Sequence, residues 1–432
     1  MKWNRRVAIA LPVLAILVAG AVYLVLRSRE RVVTPLPPER DVPRLESALE
    51  GQRTAATTVA VRYLPEAERI EGYAQLEVEV TGKPRSTFHF LLNPAFDIRD
   101  AHVDGQGATA ARDGPTVTLH APEAVESNIR TTIEIEYEAA VSASFGPGVR
   151  ISAGHLAFPL QSCWYPSDFR SFSAFRCRVT LPRDMTVPVA GAVVEDTIEN
   201  GLHAIEWEEP RPVIGAALVA GRYDRIRRLC SGTVCTAFWP TGATVDAAPL
   251  LETAGAAHNY FTSLYGDDGF RSVALVAYPG AERAFNGGNA VIALDPSVYE
   301  SDLDRFRTIA HQVARNWWGG TVSGRWLSDR PEGGDWLVNG LAEYSAWLFL
   351  REQYGRRAYL RCLEQRRCPP TIPWPMKQFG LTGSDLATPE SQPFRDVRQP
   401  FVAAMATNLI GADAFQSGCA NFFEIHRYTT VS

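Results

Sequence analysis

Residues Leu303, Phe306, Ile309, Ala310, Val313 and Trp317 recur at the 3.6-residue spacing of one helix face, which predicts a helix through this stretch. The helix carries His311, the amide Gln312 directly after it, and the guanidinium of Arg315 one turn further on. Positions i and i+4 share a helix face, so two histidines spaced this way can hold one metal ion, and an adjacent glutamate can take a proton from water bound to it. Only the first of these three roles has a suitable side chain here. Imidazole can ligate, but a neutral amide is no base, and a guanidinium has no lone pair to donate and keeps its charge. A second helix is predicted from Trp336 to Tyr354, with Gly355 as its stop. It carries Asn339 and Glu343, four residues apart on one face. The Asn339 amide oxygen is a poor zinc ligand, and Glu343 either pairs with Arg315 or is a solvated or helix-capping acid. A G-x-S-x-G elbow is absent from the sequence, so a serine hydrolase has no support.

The elements around these helices divide by period. From about residue 53 to 225 the period is two, as in Thr57–Tyr63, Gln75–Val80 and Thr132–Tyr137, which predicts antiparallel strands with one buried face. Asp104-Gly105 and Asn200-Gly201 are hairpin-turn signals. After about 226, strands are expected at Ser272–Tyr278 and Asn289–Leu294, and a helix at Pro249–Tyr265. Between them lies the short glycine-rich stretch Asn286-Gly287-Gly288-Asn289.

Several landmarks in order resemble the aminopeptidase N family of zinc metallopeptidases, a gluzincin family. Ile309–Val322, with His311 and Trp317-Trp318-Gly319-Gly320, resembles its H-E-x-x-H helix and the W-x-G-x-x-V stretch that follows. Trp336–Tyr344 resembles its W-L-N-E-G-x-A-E-Y helix, Cys163-Trp164-Tyr165-Pro166 a W-Y-P segment of its β-domain, and Ala220–Tyr223 the strand closing that domain. The resemblance implies a β-sandwich-like domain at 53–225, then an α+β thermolysin-like domain at 226–432 with a mainly helical C-terminal half. It also implies that the ligand and base positions are replaced. His311 retains the first ligand position, Gln312 stands for the base, Arg315 for the second histidine and Asn339 for the glutamate ligand. Ser328–Asp335 reads as an insertion, within which Glu332 is an out-of-register acid. The family's G-x-M-E-N loop, whose glutamate holds the substrate amine, corresponds to Gly287, Gly288 and Asn289, with no acid. No tyrosine occurs around Asp396–Phe401, where the family places an oxyanion-stabilising one. Relatives often continue through more helices, so a trimmed copy is one reading of the end at Ser432.

Composition bounds the remaining classes. A chain of 432 residues that is 46% hydrophobic and 21% charged has material for globular cores, and a net charge of -5 without a long basic stripe argues against nucleic acid as a partner. Val7–Leu26 is an uninterrupted uncharged run of nearly bilayer length, about 30 Å as a helix, flanked by Lys2, Arg5, Arg6 and by Arg27, Arg29, Arg31. It reads as a single-pass signal anchor with residues 1–6 as a cytoplasmic tail, 27–52 as a proline-bearing linker, and the body outside the cell membrane. The competing reading is a cleaved signal peptide at Ala19-Gly20-Ala21. An exported body makes disulfides plausible, with Cys230–Cys235 across a hairpin tip as the local pair. Cys163 with Cys177 and Cys362 with Cys368 are the other near pairs, and Cys419 is left over.

The expected function is therefore a membrane-anchored, non-catalytic peptidase-like module that binds a peptide or protein in its cleft, with no cofactor. Two alternatives remain: a working zinc metallo-aminopeptidase with unusual ligands, and a purely structural membrane protein.

Overall fold

Alternation of apolar and polar residues resolves into an eight-stranded sheet in the computed structural model, which describes residues 48–324, 336–365 and 392–431 apart from loop positions 147, 153, 241, 243–245, 279–283, 296, 298 and 300. The described residues fall in a single unit, Pro43–Ser432. The run Val7–Leu26, the insertion with Glu332 and the partner cysteine Cys368 lie outside the described residues. Among the described residues no helix is long and apolar enough to cross a membrane.

The large sheet runs, in spatial order, Ala192–Glu199, Leu202–Glu208, Ala174–Pro182, Gln52–Leu64, Arg69–Val80, Arg130–Ala140, Asp97–Val103 and Gln106–Gly107. A three-stranded sheet, Arg85–Leu91, Thr116–Val125 and Thr109–Asp113, contributes Phe88, Phe90, Val117 and Leu119 to the same core as Val59, Tyr63, Leu76 and Ile135. This is a two-layer sandwich whose inner residues come from the alternating positions. The expected turns form: Asn200 and Gly201 both have positive φ (51° and 78°), as do Asp104 and Gly105 (49° and 74°), the backbone that a two-residue hairpin requires. One expectation is corrected. The sheet is mixed, because Gln52–Leu64 pairs in parallel with Ala174–Pro182. Parallel neighbours need a long crossover, here more than a hundred residues of intervening sheet, and local alternation carries no trace of it.

A second sheet takes the order Tyr223–Cys230, Thr233–Pro240, Ser272–Ala277, Val291–Leu294, Phe285–Asn286. Helices Ala248–Tyr265, Asp302–Ala314, Leu341–Tyr354, Arg356–Gln365, Gln392–Ile410 and Ala412–Ile425 accompany it. Their core gathers Leu251, Phe261, Leu275, Val313, Trp317, Trp318, Trp347 and Phe423. A further cluster joins Ala157 and Val219, on the small sheet Leu218–Gly221, His155–Phe158 and Arg150–Ser152, and Ala190 to Phe238, Phe270, Val276 and Val291, so that small sheet packs on the second sheet through apolar contacts. Residues 336–354 do not form one uniform helix: Trp336–Gly340 is a single π turn that leads into the α-helix Leu341–Tyr354. Gly355, at φ 80°, ends that helix as expected.

The cysteine expectation is also corrected. Cys230 and Cys235 lie on adjacent strands of the predicted hairpin, but both are free, buried thiols rather than a disulfide. Burial raises both thiols above their ordinary range, which disfavours the thiolate that disulfide formation needs. Gly255 of the neighbouring helix packs so closely that a Cβ there would lie 2.6 Å from the Cys230 Cβ. Cys163 and Cys177 are likewise unbridged.

Candidate functional site at the His311 helix

The His311 helix, Asp302–Ala314, begins at a capped terminus. Ser301 Oγ accepts from the Asp304 N–H at 3.2 Å and donates to the Asp304 carboxylate at 2.7 Å, a reciprocal cap that fixes the helix start. The helix ends at Arg315, whose backbone still has helical φ and ψ and whose N–H reaches the His311 carbonyl. A positive side chain at this end suits the partial negative charge of the last turn. Gly319 and Gly320 then turn the chain sharply. Gly319 has φ 116°, and a Cβ on Gly320 would lie 2.9 Å from the Arg315 carbonyl oxygen.

At the centre of the site is Glu343, which is buried. Its Oε1 accepts from Arg307 Nη1 at 2.5 Å and from Trp347 Nε1 at 3.0 Å, and its Oε2 lies 2.9 Å from His311 Nδ1. Glu343 is thus buried rather than solvated, and it belongs to an Arg307–Glu343–His311 cluster. Arg307, His311 and Arg315 sit at i, i+4 and i+8, so along one helix face two guanidinium cations flank an imidazole. Arg307 was not anticipated from the sequence, although its spacing from His311 was a readable signal. Burial pushes the His311 imidazole below its usual pKa and Glu343 opposes this, while the Arg315 and Arg307 charges push it further down. At neutral pH His311 is therefore uncharged, and Arg307 is the cation that balances Glu343.

Gln312 is buried with its side-chain amide donating to the Ala284 carbonyl at 3.3 Å, and its backbone carbonyl accepts from Asn286 Nδ2 at 2.6 Å. The same Asn286 nitrogen reaches Asn316 Oδ1 at 2.8 Å. Asn339 sits in the π turn, half-buried, before the Glu343 helix. The structure brings His311 and Glu343 into contact and places Gln312 beside the loop through Asn286.

The loop packs against Gly215–Ala217, a segment that the W-Y-P residues hold in place. Trp164 Nε1 donates to the Ala216 carbonyl at 2.7 Å, Tyr165 Oη accepts from the Ala216 N–H at 3.2 Å, and the Ala217 N–H donates to the Gly287 carbonyl at 3.0 Å. A Cβ on Gly287 would meet Ala217 Cβ at 2.9 Å, and one on Gly288 (φ 81°) would meet the Gly215 carbonyl at 2.8 Å. The two glycines are thus required by close backbone approach. Asn289 is buried and donates through Nδ2 to Glu209 Oε1 at 3.3 Å.

Glu209 and Arg211 are a second feature that the sequence reading missed. Glu209 also accepts from Trp207 Nε1 at 3.0 Å, and its other oxygen is buried with no hydrogen-bond partner among the described residues. Burial pushes its carboxyl up to about 7, against the opposing effects of the Trp207 and Asn289 bonds and of Arg211. Arg211 donates to the Gly320 carbonyl at 2.6 Å and lies 3.9 Å from the centre of the Phe270 ring, so it ties the end of the first sheet to the turn after the His311 helix. Because folded Glu209 holds a proton that the unfolded chain releases near 4.5, its stabilising contribution is complete below that pH and is lost as the pH rises through 7. Glu209→Gln is accordingly expected to be near neutral in urea unfolding at pH 5 but to stabilise the protein at pH 8, by up to about 3 kcal/mol. A stability difference independent of pH would refute this.

Among the described residues no three His, Cys, Asp or Glu side chains come together as a metal-binding group. The donor set at the His311 helix does not fit zinc: its carboxylate is already bound by a guanidinium, and the i+4 position is a permanent cation.

No family model matches this sequence, and no curated protein matches it. Solved structures do. The M1 zinc metallopeptidase from Deinococcus radiodurans superposes with a TM-score of 0.71 at 16% identity, covering 89% of each chain. A glutamate-to-alanine mutant of that enzyme with a Tyr-Ser-Ala substrate gives 0.70 at the same identity and coverage. A two-domain M1 zinc metallopeptidase mutant bound to L-tryptophan gives 0.68 at 16% identity over 89% of each chain. The chain therefore has the fold of these metallopeptidases, a β-rich portion followed by a helical C-terminal part.

Proposed function

We propose that this chain is a peptidase-fold binding module without peptidase chemistry, anchored in a membrane by Val7–Leu26 with its body on the outer side. The observation that carries the first part is the Arg307–Glu343–His311 cluster beside Arg315, which puts cations where a metallopeptidase needs metal ligands. The flanking basic residues and length of the Val7–Leu26 run support the anchor.

Binding in the cleft rests on two supports. The neighbouring folds hold a Tyr-Ser-Ala substrate or a single amino acid. In this chain Asn289 Oδ1 and Gln312 Oε1 are buried acceptors with no partner among the described residues, which a peptide's N–H or amine donors would satisfy, and Glu209 Oε2, protonated below about pH 7, is an unpartnered donor for a peptide carbonyl. Titration calorimetry of the purified protein with Tyr-Ser-Ala, followed by mass spectrometry of the mixture, is expected to show saturable binding and an intact peptide. No binding would favour a purely structural role. Chelator-sensitive cleavage would instead establish a working metallo-aminopeptidase.

A further inference from the structure

The strand Tyr223–Cys230 forms one edge of the five-stranded sheet, and among the described residues its only strand neighbour is Thr233–Pro240. Six consecutive residues, Asp224–Leu229, are exposed. The pairing is regular, without a bulge, and closes on Ser231-Gly232 with positive φ at both turn residues (48° and 88°). The pair flanking such a turn, Cys230 and Thr233, exchanges both backbone bonds. The alternate residues Leu229, Arg227 and Arg225 therefore turn their N–H and C=O groups outward, a ready template for another strand.

The other rim strand, Ala192–Glu199 of the large sheet, is protected against such pairing. Its register slips between Val193 and Glu195, and Glu195 is tied to Arg178 of the next strand but one. A bulge is one of the devices by which edges resist addition. The Tyr223–Cys230 edge has none. It exposes Ile226 (38%) and Leu229 (71%) as well.

Charge identifies the occupant. Across the large sheet, arginines are paired with acids: Arg53 with Glu79, Arg62 with Glu71, Arg176 with Glu206, Arg178 with Glu195. Arg227 and Arg228 form no ion pair among the described residues, and Arg225 only faces the Phe238 ring. In a chain of net charge -5, this leaves a local excess of positive charge on an open, partly apolar strand. We infer that this edge binds an extended acidic segment of a partner protein by strand addition, its backbone pairing with Arg225, Arg227 and Leu229 and its carboxylates meeting Arg227 and Arg228. The surface is separate from the His311 site: Phe285–Asn286, which leads into the Gly287 loop, is at the opposite edge, four strand spacings or about 19 Å away.

The test uses the full-length protein and a fluorescent, N-acetylated octapeptide repeating Glu-Glu-Val-Val, which as a strand presents carboxylates on both faces and whose blocked amine separates this surface from the cleft. A saturable rise in anisotropy is expected, weaker at higher salt. Binding should fall about tenfold or more in Arg227→Glu/Arg228→Glu and return in Arg227→Lys/Arg228→Lys, with unchanged melting temperatures. A lysine–valine octapeptide should not bind, and an acidic octapeptide with proline for alternate valines should bind poorly, because it cannot donate to the edge. Absence of binding would overturn the proposal, as would equal binding of the proline peptide. Arginine-dependent capture by phosphatidylserine vesicles without peptide binding would replace it with a lipid-facing role.

Discussion

Glu343→Ala is expected to destabilise the protein by about 3–5 kcal/mol, among the larger effects available to a single substitution. The carboxylate is buried and is the counter-charge for Arg307, and it also accepts from Trp347 Nε1. Its removal leaves a largely buried guanidinium and a buried indole N–H without an acceptor, and an unpaired buried charge costs far more than a lost surface pair. Removing both charges should do much less harm, because neither is then stranded. Arg307→Met/Glu343→Leu is expected to lie within about 2 kcal/mol of the parent. Urea unfolding at pH 7 of the two single variants and the double variant measures the coupling. A loss below about 1 kcal/mol in Glu343→Ala would mean that the cluster is solvated and does not hold the two helices together.

The second large effect is a gain. Arg315→His/Asn339→Glu is expected to bind zinc at least a hundredfold more tightly than the parent. At about 4 Å and an effective dielectric near 20, a unit charge pair is worth roughly 4 kcal/mol, so a divalent ion beside a fixed guanidinium is opposed by roughly twice that. The substitutions remove this repulsion and add an imidazole one helical turn from His311 and a carboxylate on the neighbouring helix. Hydrolysis should still be absent, since Gln312 cannot take a proton from water. Adding Gln312→Glu supplies a base but points a carboxylate at the Ala284 carbonyl, which now accepts from the Gln312 amide. Activity of the triple variant is therefore expected to be weak. Zinc titration in competition with a chromophoric chelator reads the first step; unchanged affinity in the double variant would remove Arg315 from the account.

Much of the architecture was legible because it is written in local periods. Alternation marked the strands, the 3.6 period marked the His311 helix, and Asp104-Gly105, Asn200-Gly201 and Gly355 marked their stops. What escaped was non-local or counter to type. The parallel pairing of Gln52–Leu64 with Ala174–Pro182 joins segments distant in sequence. The π turn at Trp336–Gly340 shares its composition with an ordinary helix. Glu208-Glu209-Pro210-Arg211-Pro212 has the composition of an exposed turn, yet Glu209 and Arg211 are buried, because Trp207, Asn289 and the Gly320 carbonyl supply their partners. Arg307 is one helical turn before His311, and a search for ligands running forward from the histidine passes it by. Gly287 and Gly288 were placed in a loop by resemblance, and their close approach to Ala217 and Gly215 is a packing constraint that no local pattern signals.

The most direct test of the central claim is the metal content of the full-length protein, purified without chelators and dialysed against micromolar zinc, read together with its hydrolysis of a panel of aminoacyl fluorogenic substrates. The Arg307–Glu343–His311 cluster beside Arg315 predicts far less than one zinc per chain and no hydrolysis that chelation abolishes. About one zinc per chain, with aminopeptidase activity lost on chelation and regained on adding zinc, would contradict it.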